Sequence, residues 1–294
     1  MDLARTALAQ VLPTCLVALV ALAPACSSSA PTESLSTSEE LLTGDEDEAA
    51  GADDASEAEE EATSGGVDAD GGSAGVDPAV GVADQVGKIK ANPGKFFTPA
   101  GCIVTTPGAN NTFTHVFTNC TGVGGRTFNG TVTATWTFEP KKITVKREAK
   151  GFKVDGATVD RTVTIEYSSV ANVLQRVRTV DLAGTTAKGK TFTRKATWTV
   201  RWDATAKCVS RQGNATTTLG DRQHVTTIEG YKRCGVGSYG CPESGKVTLS
   251  RAAAGAEKEI TIVIAFLGGR KMSITLPPTA RKIDRVLACR DTAK

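Results

Sequence analysis

Thr131-Val132-Thr133-Ala134-Thr135-Trp136-Thr137-Phe138 alternates strictly: every odd position is threonine and every even position is apolar. Period two belongs to a β-strand, whose successive side chains point to opposite faces. A helix would scatter these threonines around its circumference. The branched Cβ of threonine also fits a pleated, half-buried surface. One face of this segment is therefore built for a core and the other for water. The pattern recurs outward from this point. Ala196, Trp198, Val200 and Trp202 alternate with Thr197, Thr199 and Arg201, and Val163, Ile165 and Tyr167 alternate with Thr162, Thr164 and Glu166. Ile260, Ile262, Ile264 and Phe266 line a further face.

Turn chemistry separates these runs. Asp155-Gly156 and Gly268-Gly269 are two-residue connections that accept positive φ, as hairpins require. Pro140-Lys141, the Pro107–Asn111 stretch and Leu219–Arg222 mark further turns. The spacing predicts about 13 strands, near 101–106, 112–119, 126–138, 142–154, 157–168, 173–182, 190–202, 207–218, 223–233, 245–250, 258–267, 270–276 and 283–289. Connections this short make neighbours antiparallel and leave no room for crossover helices. The expected fold is all-β, an antiparallel meander curled into a barrel-like or sandwich domain, because wide twisted sheets do not stay flat. The faces opposite the apolar ones carry Lys, Arg and Glu, which argues against a lipid-facing barrel.

Charge divides the chain in two. Ser27 to Gln85 holds 17 Asp and Glu and no Lys or Arg, whereas Val86 to Lys294 holds 33 Lys and Arg against 14 Asp and Glu, a formal +19. The acidic part has no aromatic residue and is rich in Ala, Gly, Ser and Thr. Such a composition cannot bury enough apolar surface to offset chain ordering, so it reads as a disordered tether. A sharper reading has it compete with a polyanion for the basic domain. Near its end, Asp77-Pro78 reads as an N-cap and first helical position, opening a short helix over 78–90 that Asn92-Pro93-Gly94 would stop.

Ahead of the tether lies an apolar stretch from Val11 to Ala25, too short and interrupted to span a bilayer comfortably. With Ala23-x-Ala25 it has the form of a signal peptide and its cleavage site. Leu22-Ala23-Pro24-Ala25-Cys26 resembles a bacterial lipobox, although Leu22 stands four residues before the cysteine rather than three. That resemblance implies diacylglycerol on Cys26. Ser27, being other than Asp, implies outer-membrane delivery, on its periplasmic side or at the cell surface. A plain secreted protein cut after Ala25 is the alternative. The expected organisation is a signal peptide over 1–25, an acidic tether over 26–85 and a disulfide-bonded all-β domain over 86–294. The layout resembles that of uncharacterised exported lipoproteins of Gram-negative bacteria, which implies a location but no chemistry.

Six cysteines remain beyond Cys15 and Cys26: Cys102, Cys120, Cys208, Cys234, Cys241 and Cys289. An even number in an exported chain implies three disulfides. Cys102 and Cys120 flank one hairpin, and Cys208 and Cys234 flank another centred on Asp221, which leaves Cys241 with Cys289. The rival grouping joins Cys234 to Cys241 and Cys208 to Cys289. The chain has no CxxC, and its two histidines, His115 and His224, are far apart, so neither a metal nor another cofactor is expected.

Catalytic signals are weak. His115 is in phase with Phe113 and Phe117 and reads as a core histidine, whereas His224, beside a turn, reads as solvent-facing. Gly237-Ser238-Tyr239-Gly240 lacks the first glycine of a nucleophile elbow, and Gly122–Gly125 lacks the spacing of a phosphate loop. Glu139, Glu148, Asp160, Glu166, Asp203 and Glu229 could serve as paired carboxylates only if a cleft joined two of them. The basic surplus is the positive lead: Lys141, Lys142, Lys146, Arg147, Lys150 and Lys153 crowd one strand, and Arg176 and Arg178 share a face of another. These are the candidate polyanion-binding residues. The expected function is a non-enzymatic, envelope-anchored binding or structural lipoprotein. Its partners are the membrane, through the lipid, and an anionic glycan or lipopolysaccharide, through the basic domain. No specific nucleic acid is expected, since the aromatic residues are placed for the core. The alternatives are a β-barrel carrier of an apolar ligand and a glycan hydrolase.

Overall fold

The computed structural model describes residues 97–122, 125–170, 173–203, 205–234, 241–253, 260–277 and 281–287, together with Ala52. The leader, Cys26, the expected helix over 78–90, the Gly237–Gly240 segment and Cys289 lie outside the described residues.

Among the described residues thirteen strands follow one another. They are β1 (Ile103–Pro107), β2 (Thr112–Thr121), β3 (Thr127–Glu139), β4 (Lys142–Val154), β5 (Ala157–Val170), β6 (Val173–Thr185), β7 (Thr191–Asp203), β8 (Cys208–Leu219), β9 (Arg222–Cys234), β10 (Pro242–Ala253), β11 (Ile260–Gly268), β12 (Lys271–Leu276) and β13 (Arg281–Val286). All belong to a single sheet whose order is the chain order, so β1 and β13 are its two edges. The meander is present as expected. It forms one open sheet.

Local chemistry accounts for the hairpins. Asp155 and Gly156 join β4 to β5 with φ of 48° and 90°, both in the left-handed region that a twist-matched two-residue turn requires. Pro140-Lys141 joins β3 to β4 as expected. The connection after β11 lies one residue later than the sequence indicated: Gly268 still pairs with Lys271 across a register shift, and the turn is Gly269-Arg270.

The register puts one face of the sheet inside. Phe113, Phe117, Phe128, Val132, Ala134, Trp136, Val145, Val163, Ile165 and Leu182 are all exposed by 2% or less. Their outward neighbours are mostly threonines and charged residues. Register shifts interrupt β2, β3, β4, β8, β9, β10 and β11. In β4 the shift between Ala149 and Phe152 moves the buried positions from odd to even numbers. Such bulges bend strands and increase their twist, which allows a one-layer sheet to curve around its own apolar face. At the β1–β4 end, Phe97 packs edge-on against Phe117 and Phe128 at 5.4 and 5.8 Å, and Phe117 meets Phe152 at 5.4 Å. Rings in such perpendicular arrangements gain about 0.5–1.5 kcal/mol beyond the area they bury.

Cys102–Cys120 and Cys208–Cys234 are disulfide-bonded, with Cα separations of 5.3 and 4.0 Å. Both are hairpin pairings, which overturns the grouping that joined Cys234 to Cys241. Cys241 is itself disulfide-bonded, to a partner outside the described residues.

Candidate functional site: an arginine-bearing inner face and an outer polar cleft

Following the register across the sheet sorts the charges. Ala149, Arg161, Leu182, Arg194, Thr217 and His224 face one another in turn from β4 to β9. The next row contains Arg147, Val163, Val180, Ala196 and Ala215, and the row beyond it Val145, Ile165, Arg178, Trp198 and Gly213. A fourth contains Ile143, Tyr167, Arg176, Val200 and Arg211. These are rows of the buried face. Five of its arginines are buried, Arg147, Arg161, Arg176, Arg178 and Arg194, exposed by 0, 3, 5, 1 and 7%, and Arg211 on the same face is half-buried.

Every described strand carboxylate is on the other face. Glu148 pairs with Thr162, Asp160 with Ala183, Glu166 with Val177, Asp181 with Lys195 and Glu229 with Lys246, all outward positions. Asp203 stands opposite Cys208, one position out of phase with the inner Trp202. The described strand lysines are outside as well. Lys142 bonds Glu166 at 3.2 Å and Lys146 bonds Glu148 at 2.9 Å.

The expected polyanion-binding residues are thus not one surface. Lys142, Lys146, Lys150 and Lys153 lie on the outer face or at its bulge, and Lys141 occupies a turn. Arg147, Arg176 and Arg178 are buried on the inner face, a correction to their reading as surface cations. His115 is buried, as expected, and its Nδ1 lies 2.9 Å from Thr105 Oγ1. His224, expected in solvent, is half-buried on the inner face opposite Thr217.

Arginine suits this interior better than lysine, because its planar group stacks on rings and carries five donors. Arg161 stacks over Phe152 at 5.1 Å, Arg211 over Trp198 at 5.0 Å and Arg176 over Trp202 at 5.9 Å. Arg194 Nη1 donates to Thr217 Oγ1 at 2.8 Å. Stacking and neutral acceptors do not cancel charge. Burying one ion costs several kcal/mol after relaxation, so five would exceed the ordinary stability of a domain, about 5–15 kcal/mol, unless anionic groups offset them. The described strands place no such group on this face. Ala52, from the middle of the acidic segment, is helical, 2% exposed and part of the same core cluster.

The outer face carries a cleft of about 580 Å³. Its floor is one row of side chains on five adjacent strands: Ser168, Gln175, Arg201, Ser210 and Lys232. Arg201 Nε donates to Gln175 Oε1 at 2.8 Å, which fixes the guanidinium through one of its five N–H groups. Lys232 Nζ lies 3.8 Å from Glu243 Oε2. Asp203 lines the far side, its Oδ1 accepting from the Ala206 amide at 2.8 Å. A second cleft of about 170 Å³ shares Arg201, Ser210 and Lys232. Register shifts beside Arg211 and around Ser244 bend the strands here. The sequence signal for this site is faint, because its residues are spread over 65 positions and share a row only after four hairpins have been placed.

No family model, curated protein or solved structure matches this chain.

Proposed function

We propose that this protein is a non-enzymatic, envelope-anchored binding or structural lipoprotein, and that its outer cleft takes acidic sugars of a glycan or of lipopolysaccharide. The row Ser168–Gln175–Arg201–Ser210–Lys232 carries this reading. Two cations meet carboxylate or phosphate groups, while two hydroxyls and an amide supply the neutral donors and acceptors that sugar hydroxyls need. The row is long rather than deep, which fits a chain better than a compact metabolite. The disulfides are compatible with an exported protein in an oxidising compartment. The lipid on Cys26 supplies the anchor, about 0.8 kcal/mol for each buried methylene.

The test is binding of the mature protein to an immobilised polyuronate and to lipopolysaccharide micelles, in parallel arms. Replacing Arg201→Ala and Lys232→Ala together weakens binding about tenfold, at roughly 0.5–1 kcal/mol per exposed cation. Lys146→Ala with Lys153→Ala, elsewhere on the outer face, leaves it unchanged. An equal loss in both pairs would mean diffuse attraction to the net charge and would sink the cleft as the site. Mass spectrometry of the mature N-terminus tests the anchor, with diacylglycerol expected on Cys26.

A further inference from the structure

We infer that the outer cleft selects a glycan in which acidic and neutral sugars alternate, over one that is acidic at every ring. The inference rests on the reading of the cleft as an acidic-sugar site and adds the charge pattern of its ligand. Three neighbouring rows of the outer face carry it. On β7 the outward positions Asp203, Arg201 and Thr199 follow one another two residues apart, about 7 Å from one to the next. Across from them on β8 stand Cys208, Ser210 and Gln212. The middle row holds the cations, Arg201 and, on β9, Lys232. The row on one side presents the Asp203 carboxylate, and the row on the other presents the uncharged Thr199 and Gln212.

The two clefts follow this division. The larger, of about 580 Å³, extends to the Asp203 side, and the smaller, of about 170 Å³, to the Thr199 and Gln212 side. Arg201, Ser210 and Lys232 line both. The smaller cleft lies where β8 falls out of step with β9 between Arg211 and Gly213. Gly230 at this bulge has φ of 57° and open space where a Cβ would project. Ser244 Oγ donates to the Gly230 carbonyl at 3.1 Å, which ties β10 to the rim. Charge then sets the ligand. An acidic sugar is drawn to the junction of the clefts, between Arg201 and Lys232. Among the described lining residues Asp203 is the one carboxylate. It repels a second acidic ring but accepts from the hydroxyls of a neutral one. Its bond from the Ala206 amide, 2.8 Å, holds it in place for that contact. On the other side Thr199 and Gln212 offer a hydroxyl and an amide to a further neutral ring. A glycan crossing the row obliquely thus meets a carboxylate, two cations and neutral groups in turn, and its complement is neutral, acidic, neutral.

Calorimetric titration of the intact mature protein with two octasaccharides tests the inference. One is hyaluronate, in which glucuronate alternates with N-acetylglucosamine, and the other is oligogalacturonate, charged at every ring. Hyaluronate binds about fivefold the tighter, although it carries half the charge. Asp203→Asn, whose side-chain oxygen still accepts from the Ala206 amide, raises the affinity for oligogalacturonate about fivefold and does not raise that for hyaluronate. Gly230→Asn, a residue that tolerates positive φ, projects into the smaller cleft and weakens hyaluronate about fivefold. Oligogalacturonate binding as tightly as hyaluronate to the parent protein overturns the inference, whatever the variants do. So does an Asp203→Asn variant whose affinity for oligogalacturonate is unchanged. If in either case Arg201→Ala with Lys232→Ala still weakens binding about tenfold, the acidic-sugar site stands and only the alternating pattern falls. If that pair has no effect on either octasaccharide, both readings fall.

Discussion

Arg178 stands directly across from Trp198 on the adjoining strand, and both are buried, at 1% and 4% exposure. A permanent cation thus shares the interior with one of the two tryptophans of β7. This arrangement persists only while the charge is compensated. Arg178→Ala removes the guanidinium, strands its compensating groups and opens a cavity beside the indole. A loss of about 3–5 kcal/mol follows, read as a lower urea midpoint. Arg178→Lys stays closer to the alanine variant than to the parent, because a compact ammonium does not reproduce the planar, five-donor guanidinium. A lysine variant as stable as the parent would show that charge alone matters here.

The outer ion pairs predict the opposite behaviour. Lys142 and Glu166 are 3.2 Å apart, but their side chains are 38% and 45% exposed. Glu166→Gln and Lys142→Ala each change stability by less than about 0.5 kcal/mol in denaturant titration. A larger effect would indicate that the outer charges act as a network.

The two described disulfides close segments of 18 and 26 residues. Cys208→Ala with Cys234→Ala, or Cys102→Ala with Cys120→Ala, lowers stability by about 3 kcal/mol through the entropy returned to the unfolded chain. Thermal melts of each double variant measure this. Reduction of the parent reproduces at least the sum of the two losses, because Cys241 is also bonded.

Two glycines separate backbone strain from steric overlap. Gly151 has φ of 59° and open space where a Cβ would project, so Gly151→Ala costs about 1 kcal/mol. Gly213 has φ of 144°, and a Cβ there would overlap the Thr197 carbonyl oxygen and approach Trp198 Cε3 to 2.8 Å. Gly213→Ala is therefore the more damaging, by at least about 2 kcal/mol in the same denaturation assay. Equal costs would mean that the bend in β8 yields easily.

Much of the fold is legible in the sequence because its determinants are local. Alternation identified the strands, turn residues identified most hairpins, and strand ends placed the cysteines of Cys102–Cys120 and Cys208–Cys234 side by side. The site was less legible, partly through the weight given to charge over phase. Arg147 falls between Val145 and Ala149, Arg161 between Val159 and Val163, and Arg178 two before Val180. Each is in register with apolar neighbours, and that phase places it inside. Arg201 and Lys232 carried no such mark.

By itself, then, the sequence determined a disulfide-bonded meander with one apolar and one threonine-rich face, because side-chain period and turn geometry depend on residues a few positions apart. Only the tertiary structure decided which inner residues face the arginines across the sheet, that Ser168, Gln175, Arg201, Ser210 and Lys232 share one outer row, and that Ala52 joins the core. Those placements depend on register accumulated across many strands, with bulges that shift the phase, and on burial that no short stretch of chain can specify.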